Sequence, residues 1–432
     1  MKTFSLQEAL AYLYGLNPGT IKLGLDNTQS LLRYFGDPHL KVPTIHIAGT
    51  NGKGSTAAFT ESILRASGFR TGFYTSPHLL HFKERIQVDR VPIEEDKLTD
   101  LVFRVRQAVE KLNLPITFFE FGTVMAFLYF LEQKTQWNII EVGMGGRLDA
   151  TNLCQAQISI ITSIGLDHTQ HLGSDLEQIA YEKACIIKDY GTVFAHLEGL
   201  EALSVIKKAA AERSAKIRLL GKDVTAEFKS VHPGGQTFDF SFGEYHLQNL
   251  EIPLAGRHQV ANAGLALAAC LELRQKGVPL SMETIREGLK NVRWEGRLET
   301  ISIRPFVILD CAHNPDGVRK LTLSLREIFS FRRCIVILGI MSDKPVQEML
   351  QIISAVADHL ILVKPEQNRA MEPALLKNHL RNWEKPVEIV EQIPYAVRAA
   401  KISANPDDLI CITGSIFTVA EAKKFLADDS LV

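Results

Sequence analysis

Residues 44–55 read TIHIAGTNGKGS, which joins a β-branched run to a glycine-rich turn and then to a helical pattern. The run Thr44–Ala48 predicts a buried strand, and residues 55–66 predict a helix that Gly68 terminates. A turn that connects a strand directly to a helix presents backbone N–H groups at the positive end of the helix dipole. Glycines let those groups surround an anion, and Lys53 adds a mobile cation.

The turn therefore predicts a phosphate site. The residues expected to line it are Gly49, Thr50, Asn51, Gly52, Lys53, Gly54 and Ser55. The pattern departs from the common phosphate loop, because Ile47 stands where its first glycine would fall and Gly54 replaces the usual hydroxyl residue after the lysine. A plain glycine-rich strand-to-helix turn is the alternative interpretation.

A second glycine group follows another apolar run, at Gly143, Gly145 and Gly146. The dinucleotide fingerprint would need glycine at position 148, where Leu148 stands. Hydride-transfer chemistry therefore has no support in this sequence.

Outward from the turn, short β-branched runs alternate with longer helical segments, which predicts parallel sheets with crossover helices. The expected fold class is α/β, with an N-terminal P-loop-type parallel sheet covered by helices on both faces and a smaller, Rossmann-like C-terminal α/β domain. Gly243-Glu244 separates two strand patterns, which predicts a hairpin in a small β appendage. The expected boundary lies near Arg297, giving domains 1–296 and 297–432. The other predicted strands are 71–75, 137–142, 158–164, 306–309, 334–338, 360–363 and 409–412.

Composition excludes several classes of protein. Of 432 residues, 46% are hydrophobic and 22% are charged, with a net charge of −1, so a disordered chain is not expected and no overall basic field points to nucleic acid or an anionic membrane. No apolar run is long enough to cross a bilayer, and residues 1–20 lack the pattern of a signal peptide. The six scattered cysteines indicate buried thiols in a reducing cytoplasm.

Polar residues follow several of the predicted strands. Ser76, Glu141 and His168 each stand just after or at the end of a buried run. Ligands of open α/β sheets gather beyond the carboxyl ends of the strands. A hydroxyl, a carboxylate and an imidazole converging there would suit a Mg²⁺–nucleotide site. Taken one at a time, each could instead cap a helix or bond to a loop.

Lys183 falls on the apolar stripe of a predicted helix that starts near Ser174, where Glu177 completes a capping-box pattern. Ile179 and Ile187 lie four residues to either side of this lysine. A lysine on a core-facing stripe must extend to solvent, find a partner or change its chemistry, because an unpaired buried ammonium is costly. The alternatives are an extended lysine at the sheet edge and a lysine that reaches the nucleotide or metal site.

Together these residues resemble the folylpolyglutamate synthase/dihydrofolate synthase family of the Mur ligase superfamily. The resemblance runs from about residue 20 to Ser415. Its most specific part is residues 141–152, EVGMGGRLDATN. The other matching segments are 49–55 (GTNGKGS), 75–78 (TSPH), 82–86 (FKERI), 167–169 (DHT), 182–184 (EKA), 256–263 (GRHQVANA), 294–299 (WEGRLE) and 310–315 (DCAHNP).

The resemblance implies an ATP-binding, Mur-ligase-like central domain at 1–296 and a C-terminal glutamate-ligase domain at 297–432. It also implies two Mg²⁺ sites. Ser76 and Glu141 would bind one ion, and Glu141, His168 and Lys183 would bind the other, with Lys183 carbamylated by CO₂. That modification would turn an awkward buried cation into a metal-binding anion. Lys53 would hold the ATP phosphates.

Further roles follow from the resemblance alone. Gln259 and Asn262 match positions near the adenine, and Arg297 matches a phosphate-contacting arginine. Asp310, His313 and Ser415 match positions that face ATP or the incoming glutamate. The segment containing Phe82 and Arg85 is expected on the folate side, and Lys344 is expected near the glutamate carboxylate, where some relatives carry arginine. Cys311 replaces the glycine that is usual in this motif.

The expected reaction is the ATP-dependent addition of L-glutamate to tetrahydrofolate and to dihydropteroate through an acyl phosphate. Catalysis is expected from Lys53, Lys183, His168 and His313, in a monomer that binds neither nucleic acid nor membrane. One alternative is a Mur-type cell-wall ligase. It is less favoured because the phosphate turn already lies at Gly49, which leaves no expected N-terminal domain for a UDP-sugar. The other is a non-catalytic P-loop nucleotide switch, but the chain has no Asn-Lys-x-Asp guanine motif.

Overall fold

A computed structural model of the protein describes residues 4–16, 24–380 and 383–429. Its contacts divide the chain into two units. The first comprises Met1–Glu227, Asp239–Leu250 and Ala261–Val292, and the second comprises Phe228–Phe238, Glu251–Val260 and Arg293–Val432. The division runs through a small antiparallel sheet, whereas the sequence places one boundary near Arg297. The two-domain boundary therefore stays a prediction.

The first unit is built on an eight-stranded sheet with the order β4-β3-β2-β5-β1-β6-β7-β8. The strands are β1 (Thr44–Ala48), β2 (Thr71–Tyr74), β3 (Ile86–Val88), β4 (Val91–Pro92), β5 (Trp137–Glu141), β6 (Ala156–Ile161), β7 (Thr192–Ala195) and β8 (Lys216–Leu219). The edge strands β3 and β4 pair antiparallel, and the pairs from β2 to β8 are parallel. Strands β1 and β5 are buried along their whole length, as expected for a sheet covered on both faces.

Helices of this unit are α1 (Leu6–Gly15), α2 (Asp26–Tyr34), α3 (Lys53–Ala66), α4 (Glu95–Leu112), α5 (Phe118–Glu132), α6 (Thr169–Leu172), α7 (Leu176–Ala184), α8 (Leu200–Glu212) and α10 (Met282–Lys290), together with α9 (Arg257–Gln275) from Ala261 onward. Short 3₁₀ helices span Pro38–Leu40, Phe82–Arg85 and Ala150–Leu153. The centre of the main aromatic core is α5, because its residues are apolar and buried on nearly every side.

The small antiparallel sheet has the order β11-β10-β9. Its strands are β9 (Val224–His232), β10 (Gly235–Phe242) and β11 (Tyr245–Ile252). Gly243 adopts a left-handed φ of 57° in the turn between β10 and β11. The predicted hairpin at Gly243-Glu244 is confirmed, because glycine supplies the positive φ that such a turn requires.

The second unit contains a six-stranded sheet with the order β12-β13-β17-β14-β15-β16. Its strands are β12 (Glu299–Ile303), β13 (Phe306–Leu309), β14 (Cys334–Leu338), β15 (His359–Leu362), β16 (Val387–Ile389) and β17 (Leu409–Thr413). Its helices are α11 (Pro315–Ile328), α12 (Val346–Ile353), α13 (Pro373–Asn378), α14 (Ile393–Ser403) and α15 (Ile416–Asp429). Only the β12–β13 pair is antiparallel among the strand pairs of this sheet. The predicted α/β fold class is confirmed in both units.

Several predicted element ends were wrong, and two of them lie close to the predicted site. The helix that carries Lys183 is capped by the Asp175 side chain, which accepts from the Gln178 backbone N–H, and not by Ser174. Strand β6 stops at Ile161 rather than at residue 164, because the residues that follow turn toward another loop.

All six cysteines are free thiols, and all except the partly exposed Cys185 are buried. The expectation of buried thiols is therefore met at five positions. None of the described helices is both long enough and apolar enough to cross a membrane. The cytoplasmic location remains a prediction.

Candidate active site

The glycine-rich turn connects β1 directly to α3, as the sequence predicts. Gly52 adopts a φ of 86°, and a Cβ atom there would lie 2.4 Å from Oδ1 of Asn262. A Cβ atom on Gly49 would lie 1.9 Å from Oγ1 of Thr162. Glycine is required at both positions because the chain passes too close to its neighbours for a side chain.

A segment after β6 braces this turn. The backbone N–H of Thr50 donates to Ser163 O at 2.9 Å, and that of Asn51 donates to Ser163 Oγ at 3.0 Å. Thr162 Oγ1 donates to Asn51 O at 2.6 Å, and Thr50 Oγ1 donates to Gly165 O at 3.0 Å. Sequence reasoning missed Thr162 and Ser163. Their signal is a pair of hydroxyl residues directly after a buried strand next to the phosphate turn.

Two lysines meet at the first residue of the turn. Lys53 Nζ donates to Gly49 O at 3.0 Å and to Thr50 O at 3.3 Å. Lys183 Nζ, from α7, donates to the same Gly49 carbonyl at 3.1 Å. The sequence left open whether Lys183 extends to solvent or reaches the site. The structure places its side chain, 4% exposed, at the phosphate turn.

The surroundings of Lys183 change its protonation. Burial, followed by the positive charge of Lys53, lowers the pKa of Lys183 from 10.5 to about 7. Asp167 opposes this shift, so its carboxylate lies within electrostatic reach of the amine. A large fraction of Lys183 is therefore a neutral amine near neutral pH, which is the form that can react with CO₂ or bind a cation.

Glu141 and Ser76 also come together. In the sheet register Glu141 stands beside Ile47, two residues before Gly49. Strand β5 lies between β1 and β2, so the carboxyl end of β2 delivers Ser76 to the same edge. The Ser76 backbone N–H donates to Glu141 Oε2 at 3.1 Å, and Glu141 is 5% exposed. Parallel neighbours thus bring together residues 65 positions apart.

His168 is less enclosed than the other three predicted metal ligands. It is exposed, adopts a left-handed φ of 50° and precedes α6. Its backbone N–H donates to Asp167 Oδ1 at 2.9 Å. Within residues 4–16, 24–380 and 383–429, no three His, Cys, Asp or Glu side chains are grouped to hold a metal ion. The predicted set contains only two such side chains, the other two being a serine and a lysine.

The segment after Ser76 forms a buried aromatic and cationic cluster. Arg85 Nε donates to His78 Nδ1 at 2.8 Å, and its guanidinium lies 5.0 Å from the ring centroid of Phe118. Burial lowers the pKa of His78 to about 3, so the imidazole is neutral and can accept this bond. Phe82 is 3% exposed and packs against Phe118. The substrate roles of Phe82 and Arg85 stay predictions, and both side chains are largely enclosed.

The predicted adenine residues lie on or next to α9. Asn262 is 6% exposed and its amide lies against Gly52 of the phosphate turn. Gln259 is 1% exposed, and its backbone N–H donates to Gly256 O at 2.8 Å. Asn262 is therefore brought to the turn, whereas Gln259 belongs to the second unit.

In the second unit, Asp310 follows β13 and organises the backbone around it. Its two carboxylate oxygens accept the N–H groups of Leu298 and Ala312, each at 2.9 Å. Arg297 donates to Gly296 O at 2.9 Å and also to the sulfur of Cys311. The charge of Arg297 opposes the rise that burial causes in the pKa of Asp310, so the two side chains interact electrostatically.

The remaining predicted residues of this unit are held locally. His313 Nδ1 lies 2.9 Å from Cys311 O, so Nδ1 carries a proton and donates it to that carbonyl. Ser415 Oγ accepts the Thr418 backbone N–H at 3.1 Å and so caps α15. The Lys344 side chain is 8% exposed, and its Nζ lies 4.0 Å from Asp343 Oδ2.

Two domain families match this chain. Residues 47–270 match the Mur ligase middle domain, and residues 296–416 match the Mur ligase glutamate ligase domain. The dihydrofolate synthase/folylpolyglutamate synthase of Bacillus subtilis is 34% identical over 433 residues, covering 97% of this chain and 99% of that protein. The enzyme of the same name from Escherichia coli is 33% identical, covering 96% and 94%.

The chain belongs to the folylpolyglutamate synthase/dihydrofolate synthase family. Solved structures of the family share its fold. The folylpolyglutamate synthase of Thermotoga maritima superposes with a TM-score of 0.85 at 34% identity, covering 98% of this chain and 97% of that one. The Escherichia coli enzyme in complex with DHPP and ADP superposes with a TM-score of 0.89 at 32% identity. The match covers 99% of this chain and 98% of that one.

Membership of the folylpolyglutamate synthase/dihydrofolate synthase family makes this protein an ATP-dependent ligase. Relatives have been crystallised with ADP and with AMPPCP, in agreement with a nucleotide site in the family. Neither the cell-wall ligase nor the nucleotide-switch alternative is favoured by these relationships.

Proposed function

We propose that this chain joins L-glutamate to a folate-type carboxylate, with ATP converted to ADP and phosphate, through an acyl phosphate intermediate. The observation that carries the proposal is the pair of lysines at Gly49 O, next to a glycine turn that opens a helix. Family membership adds the class of substrate. An ATP-dependent ligase needs a preformed cationic cradle for a polyphosphate, and this turn has that composition.

An amide does not form readily from a free carboxylate and an amine, because oxide is a poor leaving group. In the proposed reaction a carboxylate oxygen attacks the γ-phosphorus, and the bond to the β-phosphate oxygen breaks to release ADP. The α-amine of glutamate then attacks the acyl carbon, loses a proton, and expels inorganic phosphate from a tetrahedral state. No protein nucleophile is required.

Charge stabilisation is the main task of the protein in both steps. Lys53 stands at the start of α3, where its ammonium and the backbone N–H groups of the turn would contact the β- and γ-phosphates. Its present bonds are to backbone carbonyls, which a phosphate oxygen can replace. We assign Arg297 to the phosphates as well, and Gln259, Asn262 and Asp310 to the rest of the nucleotide.

Two magnesium ions form part of the proposal. Ser76 and Glu141 would bind one, and Glu141, His168 and a carbamylated Lys183 the other. Hydroxyl and carboxylate oxygens are the ligands that Mg²⁺ prefers, and the buried Glu141 and the partly buried Ser76 fit that requirement. The lowered pKa of Lys183 supports carbamylation, since only the neutral amine adds CO₂. Such ions would neutralise phosphate charge when bound.

On the substrate side, we assign Phe82 and Arg85 to the folate region, and His313, Lys344 and Ser415 to the glutamate region. His313 is the candidate base for the glutamate amine, because Nδ1–H bonds to Cys311 O and leaves Nε2 as the basic nitrogen of the ring. As in the sequence-based expectation, the protein is proposed to act as a monomer without nucleic acid or membrane.

Bifunctionality is the finer part of the proposal. Several relatives carry names with both dihydrofolate synthase and folylpolyglutamate synthase activity. The test is ADP release with ATP, Mg²⁺ and glutamate, using dihydropteroate and tetrahydrofolate in parallel. Glutamate-dependent release with both acceptors supports two activities, and release with one acceptor alone rejects the second. Release with neither rejects the proposed function.

The acyl phosphate has its own test. A folate acceptor labelled with ¹⁸O in the reacting carboxylate should transfer one labelled oxygen to the released phosphate. Mass spectrometry of that phosphate measures the transfer. Unlabelled phosphate, together with normal product formation, would exclude this intermediate.

A further inference from the structure

The central strand β1 buries a histidine directly below the phosphate turn. His46 is 0% exposed, and its Nε2 lies 2.8 Å from Oγ1 of the buried Thr151. The same threonine hydroxyl makes a very short hydrogen bond to Asp149 Oδ1. Burial holds the pKa of His46 well below its usual value, so the ring is neutral. Three polar side chains from β1 and from the segment after β5 thus form one buried chain.

The direction of these hydrogen bonds follows from the chemistry of the groups. The backbone N–H groups of Gly143, Met144 and Thr151 all point at the Asp149 carboxylate, which therefore acts as an acceptor. Thr151 must then donate its hydroxyl proton to that carboxylate. The threonine oxygen is left to accept, so His46 carries its proton on Nε2 and donates it.

The carboxylate at the end of this chain shapes the turn at residues 143–146. Met144 N–H donates to Asp149 Oδ2 at 2.9 Å, and Gly143 N–H also bonds to the carboxylate. This turn begins two residues after Glu141, the last residue of β5. The orientation of the Glu141 side chain therefore depends on how firmly the turn is held.

The other side of the turn packs against α7. A Cβ atom on Gly146 would lie 2.6 Å from Glu182 O and 3.2 Å from Cα of Lys183. The Arg147 N–H donates to Glu182 O at 2.8 Å. A shift of the turn would thus move Lys183 relative to the end of β5.

We propose that His46 and Thr151 are positioning residues that set the geometry between Glu141 and Lys183 by fixing the turn at residues 143–146. Neither residue needs to touch substrate or metal. The inference rests on the proposed function, because it concerns how the proposed metal-binding side chains are held. Partners that orient metal ligands in this indirect way typically change metal affinity by about 10- to 100-fold when they are removed.

The decisive variant is Thr151→Val, which keeps the shape of the side chain and removes the hydroxyl. Its matched control is Thr135→Val. Thr135 is also buried, and its hydroxyl donates to Asn138 Oδ1 at 2.8 Å near the opposite end of β5. Both variants lose one buried hydroxyl and the two hydrogen bonds that it makes, but only Thr151 is connected to the turn at residues 143–146.

The probe is Mn²⁺, whose binding to the full-length protein in the presence of ADP is followed by the electron paramagnetic resonance signal of the free ion. Glu141→Gln sets the scale for loss of a metal ligand. We expect T151V to weaken Mn²⁺ binding about tenfold or more. T135V should bind Mn²⁺ within twofold of wild type, even where thermal unfolding shows a similar loss of stability in both variants.

Conservative variants separate positioning from folding. Thr151→Ser keeps a hydroxyl that can accept and donate, so it should restore Mn²⁺ binding to within about threefold of wild type. His46→Gln keeps an N–H donor near the position of Nε2, whereas His46→Leu removes it. We expect H46Q to bind Mn²⁺ more tightly than H46L. This pair also carries the test if T151V does not fold.

Equal Mn²⁺ binding by T151V and T135V, or by H46Q and H46L if T151V does not fold, would overturn the inference while leaving the proposed function intact. The proposed function fails separately if the wild-type protein releases no ADP in response to glutamate. Mn²⁺ binding by wild type that E141Q does not weaken would reject the metal site and the inference together.

Discussion

The two units treat the polar residues at their strand ends in opposite ways. In the first unit, Lys53 and Lys183 direct their two side-chain nitrogens at one carbonyl oxygen, that of Gly49. In the second unit, Asp310 and Ser415 are satisfied by neighbouring backbone N–H groups, as in ordinary turns and helix caps. Like charges brought together in a buried place destabilise the folded state. Side chains that accept hydrogen bonds from free backbone N–H groups stabilise it.

This contrast distinguishes residues that are proposed to act in catalysis from residues that stabilise the fold. A protein keeps a locally unfavourable arrangement mainly where function requires it. The two lysine side chains at Gly49 O support the proposal that the glycine turn of the first unit binds phosphate. The polar strand ends of the second unit first shape their own backbone, and any contact with substrate is added to that structural role.

The largest effect is expected from Lys53→Met. Loss of the cation at the phosphate turn should lower the rate of glutamate-dependent ADP release about 10³-fold, because no other side chain of the turn supplies a mobile charge. Lys385→Met, which breaks the ion pair with Asp358 on the surface of the second unit, is the control and should retain normal activity. If the rate of ADP release by K53M were within tenfold of the wild-type rate, the functional distinction between the two units would be contradicted.

Matched serine variants test the contrast directly. Ser76→Ala should reduce the rate of ADP release about 10²-fold with little change in stability, because the proposed role of its hydroxyl is toward a metal ion. Ser415→Ala should lower the free energy of unfolding by about 1 kcal/mol, because it removes the cap of α15. Denaturant unfolding and initial rates measure the two effects. A loss of stability in S76A but not in S415A would contradict the contrast between the two units.

The pH dependence of stability should report the buried lysine. Since the folded-state pKa of Lys183 is about 7 and its usual value is 10.5, the unfolded chain binds more protons between those values. The free energy of unfolding should therefore rise with pH across that window, by up to about 1.4 kcal/mol per pH unit. Lys183→Met should remove this contribution. Urea unfolding at pH 7 and pH 9 measures how the free energy of unfolding changes with pH in wild type and in K183M. The same change in both proteins would show that the pKa of Lys183 is not perturbed.

The smallest expected effect concerns Cys311, which stands where the family motif usually has glycine. Its sulfur accepts a hydrogen bond from Arg297. Cys311→Ala should raise the KM for ATP about fivefold, which corresponds to the loss of one hydrogen bond worth about 1 kcal/mol. Cys311→Ser should keep the acceptor and stay close to wild type. Identical KM values for both variants would show that the sulfur does not help to place Arg297.

Some features followed from local sequence alone. Strand β1 has the predicted bounds, because an apolar β-branched run followed by glycines specifies its own end. The hairpin at Gly243 follows in the same way from turn chemistry. The predicted cap at Ser174 was wrong for an equally local reason, since the adjacent Asp175 side chain accepts the Gln178 N–H and the helix starts one residue later.

Other features depended on residues that are distant in the chain. The stripe pattern indicated that Lys183 faces the core, but only the fold placed its amine at the carbonyl of Gly49, 134 residues away. The sequence predicts Thr162 and Ser163 as part of a strand, whereas in the structure their hydroxyl groups hydrogen-bond to Asn51 of the glycine turn. The pair of hydroxyl residues is a local signal, but the loop that it contacts depends on strand order.

By itself the sequence determined the α/β class, the glycine turn between β1 and α3 and the family, since these depend on short-range periodicity, glycine placement and contiguous motifs. Only the tertiary structure decided that two lysines share one carbonyl and that His46, Thr151 and Asp149 form a buried chain. The physical reason is that the strand order β2-β5-β1-β6 juxtaposes segments far apart in the chain, and burial at that meeting point then changes the protonation of the groups it encloses.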